Sequence, residues 1–491
     1  MVGITAYGAY IPRLRLSRKA AAQATGWLNP TIFASSQGES AMANWDEDSI
    51  TMAVEAGRDC LVDTANISAI YFASTTPPFA ERLNASVVAA ALGLEQDIAA
   101  YDLSSSPRCG ISGLIQASEH GRSGQQNNAL VVASDAQRNL AASPASLLQG
   151  DAAAAFTIGS DNVLAEIVGH HSETVDFVDS YRGTGHDFRQ NWEERWVREE
   201  GYLKLVPGAL GKLLADAGIT ADSISAFICP CPLRGVTNRI AKTLGIANEA
   251  VVDHLDASCG NAGTAHPLLI LAHTLEKAQP GQHILVAGFG QGCEAILLKT
   301  TAACSSFTPG TGPQQWLDRG VSEPNYFKYL IFKDLVQWDQ GADGEADNKT
   351  LLSSLYRDRH FVNRLEGWHC SATGEALFGS EAAFKASQSE HSFERKSFAD
   401  SPATLLTLSS NYLGLSLEPA ICTGIIEFAE GGRLVVNLTE ADPQQLAIGG
   451  PVRMSYRIHA VDKARGFTRY FWKGVPLPSP ADSAQTGETT V

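Results

Sequence analysis

Six side chains capable of nucleophilic or proton-transfer chemistry occur in three short segments of the chain. They are Cys109, Cys229, Cys231, His254, Cys259 and His266. A deprotonated cysteine is a nucleophile, and a neutral histidine accepts a proton near neutral pH. Cys109, Cys259 and His254 are therefore candidate catalytic residues, and His266 is a further candidate base.

Each of these residues also has an ordinary structural interpretation. Cys109 can be a small buried apolar side chain, as most free cysteines are. His254 and His266 can be structural histidines with satisfied hydrogen bonds. Cys229 and Cys231 could be redox-active or bind a metal, but a lone Cys-x-Cys lacks the further ligands that zinc requires. No metal site is predicted.

The elements that must position these residues form an internal repeat. The sequence ISAIY at 67–71 returns as ISAFI at 224–228, and ALGL at 91–94 returns as TLGI at 243–246. The offset is about 154 residues throughout. This regularity indicates a duplicated α/β unit that covers 63–136 and 222–291.

Each copy follows a strand-helix-strand rhythm. In the first copy, a β-rich run at 69–72 precedes a helical stretch at 85–92, and another strand ends at Asp102. The small apolar residues at 150–158 are consistent with a strand buried on both faces. The pattern predicts a layered α/β domain of about 300 residues.

The chain after this domain changes character. Ser, Thr, Pro and Gly accumulate at 302–325, which is typical of a linker. Short β patterns then dominate, at 403–408, 420–428, 433–438, 451–458 and 467–472. Five short strands separated by turns predict a small β-barrel of the OB kind. Residues 477–491 are mostly Ser, Pro, Ala and Thr and predict a disordered tail.

Composition restricts the partners. The chain has 491 residues, 44% of them hydrophobic, and a formal net charge of −16. Nucleic acids and anionic membranes attract clustered Lys and Arg, so neither is a predicted partner. No apolar run approaches the roughly 18 residues of a membrane helix. Nine scattered cysteines and no signal-like start predict free thiols and a cytoplasmic location.

Sequence motifs in both parts resemble a known superfamily. The first 300 residues resemble the thiolase superfamily, in its hydroxymethylglutaryl-CoA synthase and ketoacyl synthase III branch, through GITAYGAYIP at 3–12, GNAGTA at 260–265 and GFGQG at 288–292. The C-terminal part resembles the zinc-ribbon and OB-fold partner of acyl-CoA thiolases, through VRMSYR at 452–457 and GFTRYFWK at 466–473. The resemblance implies an α/β/α/β/α domain followed by an OB-fold.

The catalytic residues of that family transfer only in part. The nucleophilic Cys, which starts a buried helix, falls by counting on Pro107, two residues before Cys109. The family's His falls on Pro230, and the Glu of hydroxymethylglutaryl-CoA synthases falls on Thr75. Asn261 keeps its motif position, which implies an oxyanion-type role for its amide. The resemblance therefore implies a related site with altered chemistry.

The superfamily's geometry implies that the segments around 75, 107, 230 and 260 meet in one pocket. A bulge in 104–108 could then bring Cys109 into the nucleophile's place. Contacts with the substrate are expected from Thr75, Cys231, Gly290 and Gly292. Of a zinc ribbon only Cys370 remains, so no structural zinc is predicted in the second domain.

Three functions remain open at this point. The first is an acyl-CoA enzyme that makes or breaks a carbon–carbon bond beside a thioester, with retro-aldol cleavage of a 3-hydroxyacyl-CoA as one variant. The second is synthase or acyltransferase chemistry through a displaced Cys109. The third is a silent scaffold that works with a thiolase-type partner subunit.

The resemblance also implies the ligands, the assembly and the domain boundaries. The substrate would be a thioester of coenzyme A or of an acyl carrier protein, with no permanently bound cofactor, and the protein would be a homodimer. The predicted domains are a thiolase-like N-terminal half at 1–165, its C-terminal half at 166–301, a helical connector at 302–360, a degenerate ribbon with the OB-fold at 361–476, and the tail at 477–491.

Overall fold

The computed structural model describes residues 1–61, 64, 66–122, 128–341, 349, 351–379 and 381–477. The chain divides into a first unit, Met1–Val336, and a second unit, Gln337–Val491. Residues 302–336 of the predicted connector thus belong to the first unit. The predicted tail, apart from Leu477, lies outside the described residues.

The first unit contains strands and helices along its whole length. Its strands are β1 (Gly3–Tyr10), β2 (Leu14–Ser17), β3 (Glu39–Met42), β4 (Ile67–Ala73), β5 (Ala99–Leu103), β6 (Asn128–Asp135), β7 (Ala152–Gly159), β8 (Ala165–Thr174), β9 (Ser180–Tyr181), β10 (Gln190–Asn191), β11 (Ile224–Ile228), β12 (His283–Phe289), β13 (Gly292–Thr300) and β14 (Val321–Glu323). Its α-helices are α1 (Arg18–Thr25), α2 (Ser49–Cys60), α3 (Asn84–Ala91), α4 (Cys109–Arg122), α5 (Pro144–Leu148), α6 (Glu194–Trp196), α7 (Leu203–Ala217), α8 (Val236–Leu244), α9 (His266–Leu275), α10 (Pro313–Asp318) and α11 (Tyr326–Phe332). Short 3-10 helices cover Pro30–Ser35, Ala221–Ser223, Asn248–Ala250, Gly263–Ala265 and Ala302–Ser305, and a π-helix covers Val197–Tyr202.

The central sheet repeats one pattern of strands twice. Nine of the described strands follow the order β11-β12-β13-β8-β1-β7-β6-β4-β5. In one half β4 is parallel to β5 and β6, and β6, β7 and β1 are antiparallel neighbours. In the other half β11 is parallel to β12, and β12, β13 and β8 are antiparallel neighbours. The predicted duplication is confirmed.

Details of the two halves follow from local sequence. The run predicted as a doubly buried strand is β7, and all eight of its residues are buried. Because β1 pairs with β8, the strands of both halves form one continuous sheet. Helices α4 and α9 pack on each other and on strands of both halves, and therefore form a central helical layer. Helix α2 begins with a capping box in which Asp48 accepts from the Thr51 N–H.

Several residues of interest lie at or just beyond the carboxyl ends of the parallel strands. In one half β4 is followed by Ser74 and Thr75, and β6 ends at Asp135. In the other half β11 is followed by Cys229, and β12 ends at Phe289. Ligands of α/β proteins bind beyond such strand ends, so these residues mark the place to look for a site.

The second unit begins with helices and ends in a barrel. Its helices are α12 (Leu352–Arg357), α13 (Arg359–Arg364) and α14 (Ala382–Ser387), and its strands are β15 (Glu366–Cys370), β16 (Glu375–Leu377), β17 (Glu394–Ser397), β18 (Ala403–Asn411), β19 (Ile421–Phe428), β20 (Arg433–Asn437), β21 (Pro451–Asp462) and β22 (Phe467–Pro476). Strands β16, β15 and β17 form a small sheet where the ribbon was predicted.

The five predicted barrel strands are all present. They pair in the order β20-β19-β18-β21-β22. Leu438, which follows β20, bridges to Gly474 in β22, so the two outer strands of the sheet meet. Trp472 and Tyr456 fill the interior and are almost fully buried. The sequence prediction of an OB-type barrel is confirmed.

The described part of the chain contains no candidate metal site and no candidate membrane-spanning helix. The described residues contain no group of three or more His, Cys, Asp or Glu side chains that could hold a metal ion. Within the same part of the chain, no helix is both long and apolar enough to cross a membrane.

Candidate active site

A buried carboxylate joins the two halves of the first unit. Asp135, at the end of β6, has no exposed surface. It accepts from the Thr75 N–H at 2.7 Å, the Thr75 hydroxyl at 2.8 Å and the Thr264 N–H at 2.9 Å. Further donors are Ser74 Oγ, Thr76 Oγ1 and Gln137 Nε2. Burial raises the pKa of Asp135, and the hydrogen bonds from Thr264 and Thr75 oppose that rise.

Cys109 lies beside this network, at the first residue of α4. Its side chain is 3% exposed, and its Sγ lies 3.0 Å from the Thr264 hydroxyl. That hydroxyl also accepts from the Gly110 N–H at 2.9 Å. Burial, with a smaller effect of Asp135, raises the pKa of the Cys109 thiol to about 12. The group is therefore a neutral thiol at pH 7, which is a poor nucleophile.

The residues just before α4 pack on the glycine turn between β12 and β13. The Ser106 hydroxyl donates to the Gly290 carbonyl at 3.1 Å. A Cβ on Gly290 would lie 2.6 Å from Ser106 Oγ and 2.9 Å from Pro107 Cδ, so only glycine fits there. Gly292 has φ 115°, which also favours glycine. The Gly290 N–H donates to the Gly292 carbonyl, so Gly290 shapes the site and its N–H is already engaged.

Asn261 is held by its backbone and by one side-chain atom. Its N–H donates to Leu148 O, and its carbonyl accepts from the Gly150 N–H. Its Oδ1 accepts from the Gly263 N–H at 3.0 Å. In the part of the chain that the structure describes, the side-chain Nδ2 donates no hydrogen bond. The fixed Oδ1 therefore orients the amide donor, and the oxyanion-type role that the resemblance implies for it stays a prediction.

Two histidines and an aspartate form a second cluster close to Asn261 in the chain. His266 is fully buried at the start of α9, and its Nε2 lies 3.4 Å from Asp256 Oδ1. Burial alone would raise the pKa of Asp256, but His266, His254 and Arg18 outweigh it and hold that pKa below its usual range. The Asp256 side chain thus stays ionised and half exposed.

His254 is less buried than His266 and is the candidate base of this cluster. Burial lowers the pKa of His254, and the nearby Asp256 only partly opposes the effect. Its Nε2 is buried and has no hydrogen-bond partner among the described residues. A neutral imidazole with an unshared nitrogen can accept a proton at neutral pH.

The remaining predicted cysteines are also neutral thiols. Cys259 is fully buried, and burial raises its pKa to about 12. Cys231 is 8% exposed and hydrogen-bonds with Tyr202, and burial raises its pKa to about 12. Cys231 belongs to an apolar cluster with Phe289, Tyr202 and Cys229. These thiols contribute apolar surface to the second half rather than thiolate chemistry.

The structure therefore brings some of the predicted site residues together and leaves others apart. Thr75, Cys109 and the segment after Asn261 meet at Asp135 and Thr264, and Gly290 meets the segment at 106–107. Arg182, from the segment between the halves, donates to the Thr75 carbonyl at 2.9 Å. Asp256 of the histidine cluster is close enough to Cys231 to contribute to the raised pKa of that thiol.

Three residues of this site were not among the sequence candidates. Asp135, Asp256 and Thr264 make most of the contacts described above. Asp135 carried a usable signal, since it directly follows the largely apolar run at 129–134, and polar residues at the carboxyl ends of parallel strands line ligand sites. Asp256 lies in a turn and Thr264 in a short 3-10 helix, where spacing in the sequence does not indicate which side chains meet.

The two units match different protein families. Residues 214–299 match the C-terminal domain of 3-oxoacyl-[acyl-carrier-protein] synthase III, and residues 401–457 match the C-terminal OB-fold domain of ChsH2. Among curated proteins, the hydroxymethylglutaryl-CoA synthase of Aeropyrum pernix is 32% identical over 338 residues, which are 67% of this chain and 92% of the relative. The chain belongs to the hydroxymethylglutaryl-CoA synthase family.

Other members of this synthase family and solved structures agree with that placement. The hydroxymethylglutaryl-CoA synthase of Methanopyrus kandleri is 28% identical over 59% of this chain and 85% of the relative. A crystal structure of HMG-CoA synthase complexed with CoA covers 71% of this chain and 94% of its own, with a TM-score of 0.61 and 17% identity. A crystal structure of an OleA variant from Xanthomonas campestris covers 61% of this chain and 96% of its own, with a TM-score of 0.55 and 17% identity. At these identities the structural likeness shows the fold, and the fold predicted from the sequence is confirmed.

Proposed function

We propose that this member of the synthase family acts on acyl-CoA thioesters and breaks a carbon–carbon bond beside the thioester without an acyl-enzyme. Retro-aldol cleavage of a 3-hydroxyacyl-CoA is the reaction that this site fits best. The observation that carries the proposal is the state of Cys109, whose thiol is buried, bonded to Thr264 and protonated at neutral pH. An aldol cleavage needs no thiolate, whereas acyl transfer through a cysteine does.

The reaction can be written with two groups of the site. His254 Nε2 accepts the proton of the 3-hydroxyl, the bond between C2 and C3 breaks, and the 3-hydroxyl carbon becomes the carbonyl of an aldehyde or ketone. The bonding electrons form the thioester enolate, whose oxygen accepts from Asn261 Nδ2. Return of the proton from His254 to C2 gives the shortened acyl-CoA.

The comparisons support a carbon–carbon reaction of CoA thioesters. The curated relatives are named hydroxymethylglutaryl-CoA synthases, and one similar structure was solved with CoA bound. An aldol addition and its reverse pass through the same enolate, so a scaffold suited to one direction also suits the other. In the present chain the thiol at the helix start is protonated at neutral pH, which favours a route without an acyl-enzyme.

The test is turnover of a panel of 3-hydroxyacyl-CoA thioesters, with the released carbonyl compound and acyl-CoA measured by mass spectrometry. Cys109→Ala should keep activity within about threefold of the parent protein. Asn261→Ala should lower kcat about 100-fold, because an oxyanion donor contributes about that much. Cys422→Ala, which removes a buried thiol in the second unit, is the matched control.

A folded but inactive Cys109→Ala variant would overturn this mechanism. An acyl adduct on Cys109, seen in the mass of the intact protein, would then assign synthase or acyltransferase chemistry through the displaced thiol. A folded protein that binds no acyl-CoA would instead support the scaffold function with a partner subunit.

We also propose that the protein is a homodimer formed through β5. In the described sheet β5 is the last strand and pairs only with β4, and Tyr101 on it is 48% exposed. An uncovered edge strand is a ready surface for a second copy. Light scattering should give twice the mass of one chain, and a single-chain mass would refute the dimer. Competition between CoA and carrier-protein thioesters in the activity assay would identify the physiological carrier.

A further inference from the structure

A cavity in the second unit is separate from the site at Asp135. It is a cavity of about 480 Å³, open to solvent, between α12 and α13 on one side and β21 and β22 on the other. Cavities of this size hold small organic ligands. All the described residues that line it belong to the second unit, so it does not depend on the proposed function of the first.

The walls of the cavity are mainly apolar. Leu355 comes from α12, Val362 from α13 and Phe471 from β22. Phe471 is fixed by an edge-to-face contact with Phe361, whose ring centroid lies 5.2 Å away. A rigid aromatic wall opposite aliphatic side chains favours an apolar ligand body.

Two polar residues of the barrel face the same cavity. The Nε of Arg469 is buried and has no hydrogen-bond partner among the described residues. His459 lies at a bulge, because β21 and β22 change register between Ile458 and Ala460. Bulges redirect side chains and recur beside functional sites. A buried guanidinium N–H without a protein partner costs free energy, and an anionic ligand would remove that cost.

The charges around the cavity restrict the ligand further. Partial removal from water, together with the charges of Arg469 and Lys473, lowers the pKa of His459 to about 4. His459 is therefore neutral at pH 7 and can serve as a hydrogen-bonding neighbour. Lys349 and Asp358 also line the cavity, and their opposite charges offset each other. The positive charges of Arg469 and Lys473 therefore favour an anionic ligand, and Asp358 disfavours a second negative charge on it.

We propose that this cavity binds a small amphipathic monoanion, with an apolar chain against Leu355, Val362 and Phe471 and a carboxylate on Arg469. A carboxylate suits the planar guanidinium, which donates two parallel hydrogen bonds to it. Asp358 disfavours a phosphate monoester, which carries close to two charges at pH 7. The ligand class is thus a medium-chain carboxylate.

Isothermal titration of the full-length protein with octanoate, octyl phosphate and octanol tests the assignment. Octanoate should bind saturably and more tightly than either analogue. Arg469→Gln should weaken octanoate at least tenfold, because a charge-assisted hydrogen bond contributes that much. It should leave octanol unchanged. Arg433→Gln, whose parent side chain pairs with Glu427 on the surface, is the control and should bind as the parent does.

A second variant tests whether octanoate binds in this cavity. Val362→Trp should fill it and abolish binding, and Leu355→Trp serves the same purpose if the first variant unfolds. Absence of saturable octanoate binding, or equal binding by the folded parent, Arg469→Gln and tryptophan variants, would overturn the proposal. Tighter binding of octyl phosphate would overturn the choice of a carboxylate. None of these outcomes alters the expected cleavage by the first unit, which is measured separately.

Discussion

The two halves of the first unit share a backbone plan but differ in what they place at their strand ends. In one half the ends of β4 and β6 carry Thr75 and Asp135, which are joined by two hydrogen bonds. In the other half the ends of β11 and β12 lead into Cys229 and Phe289, which belong to an apolar cluster. Duplication therefore repeated the positions, and the side chains made one position polar and the other apolar.

This difference shows how a symmetric scaffold can orient an asymmetric substrate. The polar half contributes a fixed network, which crosses into the other half through Thr264. The apolar half contributes a wall in which Phe289 packs against Tyr202 with ring centroids 4.2 Å apart. A thioester with a polar head and an apolar acyl chain has a complementary division. Four substitutions test whether one half is held by polar contacts and the other by apolar packing.

The largest expected effect comes from removing the buried carboxylate of the polar half. Asp135→Ala should lower the free energy of unfolding by about 3 kcal/mol or more, because it strands several buried donors. Urea unfolding followed by circular dichroism measures the change. Asp161→Ala, at an exposed position, should change it by less than about 0.5 kcal/mol. Equal stabilities of the two variants would mean that the network does not hold the strand ends.

A comparable loss is expected from the apolar half. Phe289→Ala should cost about 3 kcal/mol, because it leaves a cavity beside Phe177 and Tyr202. The same urea titration measures it, with Phe327→Ala as control because Phe327 is 58% exposed. A Phe289→Ala variant as stable as its control would show that the aromatic wall is loosely packed.

A smaller effect is expected when one donor is removed from the polar half. Thr75→Val deletes the hydroxyl but keeps the N–H that donates to Asp135, so the expected loss is about 1 to 2 kcal/mol. Thr75→Ser should recover most of it. Thr404→Val, at an exposed strand position, is the control. The prediction fails if Thr75→Ser is no more stable than Thr75→Val.

The smallest effect concerns pH. Because burial lowers the pKa of His254 in the folded protein, the unfolded chain binds more protons as the pH falls from about 7 to 5, and stability falls with it. In His254→Gln this decline should be shallower by at most about 1.4 kcal/mol per pH unit. Thermal unfolding at several pH values measures the slope, and His391→Gln is the exposed control. An unchanged slope would show that His254 does not titrate as proposed.

Much of the fold could be read from the sequence because its signals are local or periodic. The small apolar residues at 150–158 predicted a buried strand, which is β7, and the five β patterns of the second unit each became a strand. The ends were less accurate. Strand β21 runs to Asp462, four residues beyond the predicted 451–458, because pairing with β22 continues past a bulge.

The site was predictable only where a motif carried it. Asn261 and Gly290 lie in motifs, and their contacts with a substrate stay predictions. The protonation state of Cys109 was not predictable, because it depends on burial and on Thr264, which lies 155 residues away in the chain. The contact of Asp135 with Thr264 has the same long-range origin.

The sequence by itself determined the duplicated α/β plan, the barrel that follows it and the family to which the chain is similar. These depend on residue periodicity and on short motifs, which the order of residues records directly. Only the tertiary structure decided that Asp135 joins the two halves, that Cys109 stays a neutral thiol and that the second unit forms a cavity beside Arg469. The reason is physical, because burial and hydrogen bonding between distant segments set protonation and shape, and these contacts exist only after the chain has folded.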